Sequence, residues 1–128
     1  MGNIFCFADG FYVLSDLFVE VKLSPAHSKC VDKSEGVTSM MLECDAKEYK
    51  IQDAKLNKMY KAAMSKLDTQ GKARLKNVQR IWVQYKEAKC SFYDGLNGGT
   101  VDAFNSSGCT VQETALRAQE LEDIAGML

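Results

Sequence analysis

Several features on which enzymes and membrane proteins depend are scarce or missing in this 128-residue sequence. Its one histidine, His27, leaves little material for zinc hydrolysis or for catalysis with an imidazole base. None of its cysteines are spaced C-x-x-C, so neither a zinc ribbon nor a thioredoxin-like redox motif is indicated. The apolar run from Ile4 to Val21 contains three acidic residues, so we expect no stable membrane insertion. We therefore predict a binding protein with no catalytic, metal-binding or cofactor-binding residues.

Helix-breaking residues are also scarce. The chain has one proline, and only one of its nine glycines lies between residues 37 and 90. Such a long stretch without breakers favours helices. Apolar residues make up 46% and charged residues 26% of the chain, which is typical of a soluble globular protein of one domain. The composition thus favours a single all-α domain.

Residues 42 to 90 predict two antiparallel helices. In residues 42 to 67, apolar and aromatic residues recur at alternating spacings of four and three, which is the stripe of an amphipathic helix. The stripe consists of Leu42, Ala46, Tyr49, Asp53, Leu56, Tyr60, Ala63 and Leu67. Asp68-Thr69-Gln70-Gly71 then breaks the helix. The second helix has one face formed by Leu75, Val78, Trp82, Tyr85 and Lys89. A connection this short joins antiparallel neighbours, so we predict an αα-hairpin.

Asp53 is the polar member of the first stripe. With the bend near residues 69 and 70, Asp53 faces Lys86 and Asn57 faces Trp82. We interpret Asp53 as a structural carboxylate paired with Lys86, because a catalytic carboxylate needs a second acid or a cleft. Trp82 is interpreted as a core aromatic whose indole N–H meets a neighbour such as Asn57, and ligand stacking is the alternative.

The C-terminal part predicts a loop and a third helix. Residues 91 to 108 are rich in glycine, asparagine and serine, but they lack the Walker pattern of a phosphate-binding loop. We predict a connecting loop here, closed by a disulfide. A third helix is predicted for residues 110 to 125, with apolar positions Val111, Ala115, Leu116, Leu121 and Ile124.

The cysteines are an odd set of five: Cys6, Cys30, Cys44, Cys90 and Cys109. Removal of Cys6 with an N-terminal leader would leave four, which in a small exported chain form two disulfides. A bridge from Cys44 to Cys90 would span an offset of about five residues, roughly 7 Å along the helix axis, which is too far. Of the three connectivities, we therefore predict Cys30–Cys44 and Cys90–Cys109.

Residues 1 to 28 are predicted to be a degenerate signal peptide or leader, followed by a single helical domain over residues 29 to 128. The segment has no basic residue before Lys22, and acids interrupt its apolar run, both unlike an ordinary signal peptide. Its end carries small residues at Ala26 and Ser28, which predicts cleavage after Ser28 and removal of His27. An N-terminal strand or helix of the mature fold is the alternative. Cleavage and paired cysteines together predict a periplasmic or secreted bacterial protein.

Charge is segregated along the chain although the net charge is only −1. Residues 47 to 89 contain twelve Lys or Arg and four Asp or Glu, whereas residues 90 to 128 contain one Arg and six acids. The basic stretch is either a solvated helix face or a surface for an anionic polymer or an acidic partner. We expect no nucleic-acid binding, because the aromatics fall at core spacing.

Three residue patterns follow one another along these helices. The first is Asp53-x-x-Leu56-Asn57-x-x-Tyr60. The second is Gln79-Arg80-x-Trp82-x-x-Tyr85-Lys86-x-x-x-Cys90. The third is Cys109 followed by Thr114-x-x-Arg117 and Leu121. Together, over about residues 30 to 124, they resemble the LprI-type lysozyme inhibitor family. Two departures are Lys86, where the family usually carries Arg, and the irregular leader.

The resemblance implies a small, mostly helical, disulfide-bonded protein of the bacterial envelope that inhibits lysozyme by protein–protein binding. It also implies that the motif residues are part of the structural scaffold, so they predict the fold better than the function. Common lysozymes are basic, so a basic hairpin would repel them and the acidic C-terminal part is the better contact surface. The candidate contact residues are Asp94, Asp102, Glu113, Glu120 and Glu122. The alternative is a structural or envelope-stress protein that binds anionic cell-wall polymers through its lysine-rich helix face. The oligomeric state is left open.

Overall fold

The computed structural model describes residues 4–6, 12–14 and 21–128, and all its regular structure from residue 21 onward is helical. Two short strands, β1 (Ile4–Cys6) and β2 (Tyr12–Leu14), pair antiparallel. Four helices follow: α1 (Pro25–Ser34), α2 (Thr38–Ser65), α3 (Thr69–Ser91) and α4 (Thr100–Met127). The predicted all-α class, with a hairpin, a C-terminal helix and disulfides, is confirmed. Half of the predicted leader lies outside the described residues.

The connection between α2 and α3 is shorter than the sequence predicts. Asp68 caps α3, since its carboxylate accepts a hydrogen bond of 2.7 Å from the backbone N–H of Gly71. Gly71 therefore lies in the first turn of α3 rather than in the bend. A side chain at this position would place its Cβ 3.0 Å from Leu67 Cδ2, so glycine permits the close approach.

Helix α4 builds the core by packing closely along α2 and also against α3. Alanines at the contact, Ala63 and Ala118 among them, are fully buried and allow the helix backbones to come close together. Leu56, Leu75 and Leu121 fill the space between the three helices. Each buried leucine contributes about 2 kcal/mol through removal of apolar surface from water. Because α4 occupies this position, α2 and α3 approach each other closely at few points.

The inward face of α3 differs from the predicted one. Val78 is 48% exposed, although the stripe placed it in the core. Four of the five predicted positions are buried or half-buried, namely Leu75, Trp82, Tyr85 and Lys89, and Gln79, Lys86 and Cys90 join them. Gln79 lies inward where Val78 was predicted, because its side chain accepts a hydrogen bond from Arg117 of α4.

The predicted loop over residues 91 to 108 is wrong in its extent. Helix α4 begins at Thr100, so the connection covers only residues 92 to 99. Asn105-Ser106-Ser107-Gly108 has poor helix propensity, but two tertiary contacts hold it in α4. Ser107 donates a hydrogen bond to Asp45 of α2, and Cys109 is bonded to Cys90.

Both disulfides have the predicted pairing. Cys30–Cys44 joins α1 to α2, with 5.7 Å between the Cα atoms, and Cys90–Cys109 joins α3 to α4, with 5.4 Å. Each bond ties a neighbouring segment to the open end of the hairpin. Among the described residues, no helix has the length and apolar character needed to cross a membrane.

Candidate functional site

Exposed apolar side chains cluster at the end of the molecule where α3 passes into α4. We call residues 92 to 99 the apical loop, and we define the apical surface as Phe92, Asp94, Leu96, Val101 and Phe104. Phe92 is 64% exposed and Leu96 is 51% exposed, and the two apolar residues in the first turns of α4 are also exposed. Contiguous exposed apolar residues mark interaction sites on soluble proteins. The apical surface is therefore the strongest candidate for a protein contact.

The apical loop is held in one conformation. The Asp102 carboxylate is buried and accepts hydrogen bonds from the backbone N–H groups of Asn97, at 2.9 Å, and Gly98, at 2.8 Å. Burial alone would raise the pKa of Asp102, but these bonds outweigh it and hold the pKa below 3.8. Gly95 and Gly98 have φ values of 73° and 78°, which other residues rarely adopt. The Cys90–Cys109 disulfide closes the base of the loop.

Beside the apical loop, a groove of about 530 Å³ lies between α1, the end of α3 and the start of α4. Its apolar lining includes Tyr93 and Phe104. Lys89 and Glu113 form an ion pair of 2.5 Å in its wall. Burial would lower the pKa of Lys89, but the hydrogen bond and charge of Glu113 outweigh it and raise the pKa. Glu113 is therefore engaged within the protein.

Two buried carboxylates of α2 join it to α1 and α4. Asp45 Oδ1 lies 2.8 Å from His27 Nε2, and Asp45 Oδ2 accepts a 2.8 Å hydrogen bond from the Ser107 hydroxyl. Ser107 and His27 thus bond to different oxygens of one carboxylate. A catalytic Ser-His pair instead needs a hydrogen bond between the serine hydroxyl and the imidazole. The arrangement is that of a structural joint.

Glu48 forms the second joint. It accepts hydrogen bonds from the Ser24 hydroxyl at 2.5 Å, from the Ser24 backbone N–H at 2.8 Å and from Gln52 Nε2 at 2.8 Å. Burial would raise the pKa of Glu48, but these bonds and the charge of His27 lower it below 4.5. This joint was not predicted from the sequence, although Asp45, Glu48 and Gln52 have the spacing of one helix face. Cleavage after Ser28 would fall inside α1 and remove the N-terminal partners of both carboxylates.

Eight of the eleven motif residues line one groove between α2 and α3, of about 340 Å³, which we call the motif groove. They are Asp53, Leu56, Asn57, Tyr60, Gln79, Arg80, Trp82 and Lys86. Lys76 and Val83 complete the lining. The other three motif residues lie elsewhere: Tyr85 contacts Lys89, Thr114 is buried and donates to the Thr110 carbonyl, and Arg117 is buried beneath Gln79.

The predicted ion pair between Asp53 and Lys86 is not formed in the described part of the chain. Asp53 accepts a hydrogen bond from Asn57 Nδ2 at 3.3 Å. The Lys86 ammonium instead lies 5.2 Å from the centre of the Trp82 ring and 5.8 Å from that of Tyr49. The ion pair is absent because the Lys86 ammonium lies over aromatic rings of both helices and away from the Asp53 carboxylate.

The five acidic residues predicted to contact a partner are not brought together. Asp94 is exposed on the apical surface, whereas Asp102 caps the loop and Glu113 pairs with Lys89. Glu120 and Glu122 are exposed much farther along α4, and Glu122 lies 3.3 Å from Lys55. Only Asp94 thus combines an exposed position with the apical apolar cluster. The sequence signal for that cluster was Phe92, Leu96, Val101 and Phe104, four large apolar residues in a segment predicted to be loop.

Comparison with known proteins identifies relatives. Residues 30–121 match the profile of a family described as "Lysozyme inhibitor LprI". An uncharacterized protein of Rhizobium meliloti (strain 1021) is 27% identical over 108 residues, and the match covers 73% of this chain and 78% of that protein. No solved structure matches this chain.

Proposed function

The chain belongs to the LprI lysozyme inhibitor family, and on this premise we propose that it is an exported protein that binds and inhibits a lysozyme through its apical surface. The family is one of inhibitors and not of enzymes, and its proteins are extracellular or periplasmic. The two disulfides fit an oxidising compartment.

The observation that carries the proposal is the disulfide-closed apical loop with its exposed apolar side chains. Apolar anchors on a rigid loop bind without a large loss of conformational entropy. The acidic Asp94 between Phe92 and Leu96 complements a basic lysozyme, and residues 91 to 105 contain no Lys or Arg. This choice of surface also keeps the lysine-rich faces of α2 and α3 away from a basic target.

The experiment is a lysozyme assay that follows clearing of a cell-wall suspension in the presence of purified, oxidised protein. We expect inhibition by the native chain and a loss of at least about tenfold in potency in a Phe92→Ser/Leu96→Ser variant, since two buried anchors each contribute more than 1 kcal/mol. Asp94→Asn should slow association, and the effect should shrink as salt is raised.

A matched control is Val78→Ser/Ile81→Ser on α3. Val78 and Ile81 are 48% and 54% exposed, close to the exposure of the two loop residues, but they lie outside the apical surface. This variant should inhibit as the native chain does. Unchanged activity of several lysozyme types at large excess of the native protein would reject the inhibitor function. Equal loss in both double variants would reject the apical surface as the contact.

A further inference from the structure

We propose that the motif groove is a second binding site, and that its ligand is an acidic saccharide. This inference goes beyond lysozyme binding and does not depend on it. The motif residues were expected to be scaffold, and Leu56, Tyr60 and Trp82 do pack in or against the core. Eight of the motif residues nevertheless also line a groove that is open between α2 and α3. Its volume of about 340 Å³ lies within the range of small-molecule sites.

The charge of the groove favours an anion. It holds three cations, Lys76, Arg80 and Lys86, and one carboxylate, Asp53. Within the described residues, none of the three cations forms an ion pair: Arg80 donates to the Asn77 side chain, and Lys86 lies over aromatic rings. The groove therefore keeps an excess of two positive charges to offer to a ligand.

The polar groups of the groove favour hydroxyl-bearing ligands. Arg117 is buried, and its Nε donates a 2.9 Å hydrogen bond to Gln79 Oε1. This contact turns the Gln79 amide so that its Nε2 donors remain without a partner in the described residues. Asn57 donates its amide N–H to Asp53, which leaves its own carbonyl oxygen as an acceptor. Amide donors, amide acceptors and a carboxylate side by side can bind adjacent hydroxyls, which both donate and accept.

The walls of the groove favour a ring. Tyr60 and Trp82 are both half-buried and line it, so each presents part of an aromatic ring. Aromatic surface packs against the C–H face of a sugar ring, while the amides reach its hydroxyls. A flexible anionic chain such as a polyglutamate would use the cations and the amide donors but not the aromatic rings. The combined set therefore points to a saccharide that carries carboxylate groups.

Arg117 acts here as a positioning residue. Its Nη2 is the one buried side-chain polar atom of the described residues that lacks a hydrogen-bond partner. Burial lowers the pKa of the Arg117 guanidinium, which is a cost to stability. A role in the binding site explains this cost, because the buried Arg117 holds the Gln79 side chain in position in the motif groove.

Trp82 makes the test direct, because it is the only tryptophan in the chain and lines the groove. The probe is a soluble oligosaccharide that alternates N-acetylglucosamine and N-acetylmuramic acid, added to the full chain without lysozyme. We expect a saturable change in tryptophan emission that weakens as salt is raised. A neutral N-acetylglucosamine oligomer and an oligoglutamate peptide of equal charge should each bind at least about tenfold more weakly.

The test variant is Lys76→Gln/Arg80→Gln, which keeps Lys86 over the Trp82 ring and should weaken binding about tenfold or more. The control is Lys58→Gln/Lys61→Gln, which removes the same charge from exposed positions of α2 outside the groove. Absence of any emission change with the acidic oligosaccharide would overturn the proposal, as would equal weakening in both variants. Equally strong binding of oligoglutamate would show a general anion surface instead. None of these results bears on lysozyme inhibition.

Discussion

Removal of one hydroxyl at the joint between α1 and α2 should destabilise the whole domain. Ser24 precedes α1, and its hydroxyl donates a hydrogen bond to Glu48, which is only 1% exposed. In Ser24→Ala, the backbone N–H of residue 24 and the Gln52 amide remain in place. The variant therefore removes one hydrogen bond to a buried carboxylate and changes little else.

The expected loss follows from the burial of the acceptor. A hydrogen bond to a charged group contributes about 1.5 to 3 kcal/mol, and water has little access to replace it here. For a domain of this size the loss lowers the melting temperature by about 5 to 12 °C. Because the folded pKa of Glu48 is lowered, its contribution to stability is present above pH 4.5 and is lost as the pH falls below that value. The difference between variant and native protein should therefore shrink below pH 4.5.

The assay is thermal unfolding of the oxidised protein, followed by circular dichroism between pH 3 and 7. The matched control is Ser28→Ala, since the Ser28 hydroxyl is exposed and, among the described residues, bonds only to the Pro25 carbonyl in the same helix. It should melt within about 2 °C of the native protein. Equal melting temperatures for Ser24→Ala and Ser28→Ala at pH 7 would refute the argument that this joint holds α1 in place.

Three further predictions concern the loop and the seam. Gly98→Ala should cost about 1 to 2 kcal/mol in urea unfolding, since its φ is 78°, and an unchanged midpoint would contradict the strain argument. Cys90→Ser/Cys109→Ser should lose about 3 kcal/mol and most lysozyme inhibition, whereas full inhibition by this variant would show that the loop needs no closure. Asp53→Asn should change the free energy of unfolding by less than about 0.5 kcal/mol, and a loss of several kcal/mol would restore the idea of a structural ion pair.

The helices and the disulfide pairing follow from local features of the sequence. The alternating spacing from Leu42 to Leu67 indicates an amphipathic helix, and the break predicted at Asp68-Thr69-Gln70-Gly71 lies within three residues of the observed connection. The offset between Cys44 and Cys90 excludes a bridge across the hairpin, because helix rise and disulfide length are both constants. The helices are predictable because they depend on geometry within one helix or one turn, although Ala46 of the stripe is exposed. The disulfide pairing depends on the offset between two neighbouring helices.

The start of α4 and the joints of α1 could not be predicted in this way. Asn105-Ser106-Ser107-Gly108 has the composition of a loop, and its helical state depends on the bond from Ser107 to Asp45 and on the Cys109 disulfide. Likewise, Glu48 looks like an ordinary exposed helix residue until Ser24 is brought against it. Both features require residues distant in sequence to meet.

The sequence by itself determined the helical class, the hairpin, the cysteine pairs and the family, since all of these depend on residue spacing along the chain. Only the tertiary structure decided which faces are buried. Helix α4 packs against both α2 and α3, and part of the seam between those two helices stays open. The seam that the sequence predicts to be packed therefore contains the motif groove. The apical loop lies at the end of the bundle, where its apolar side chains are exposed.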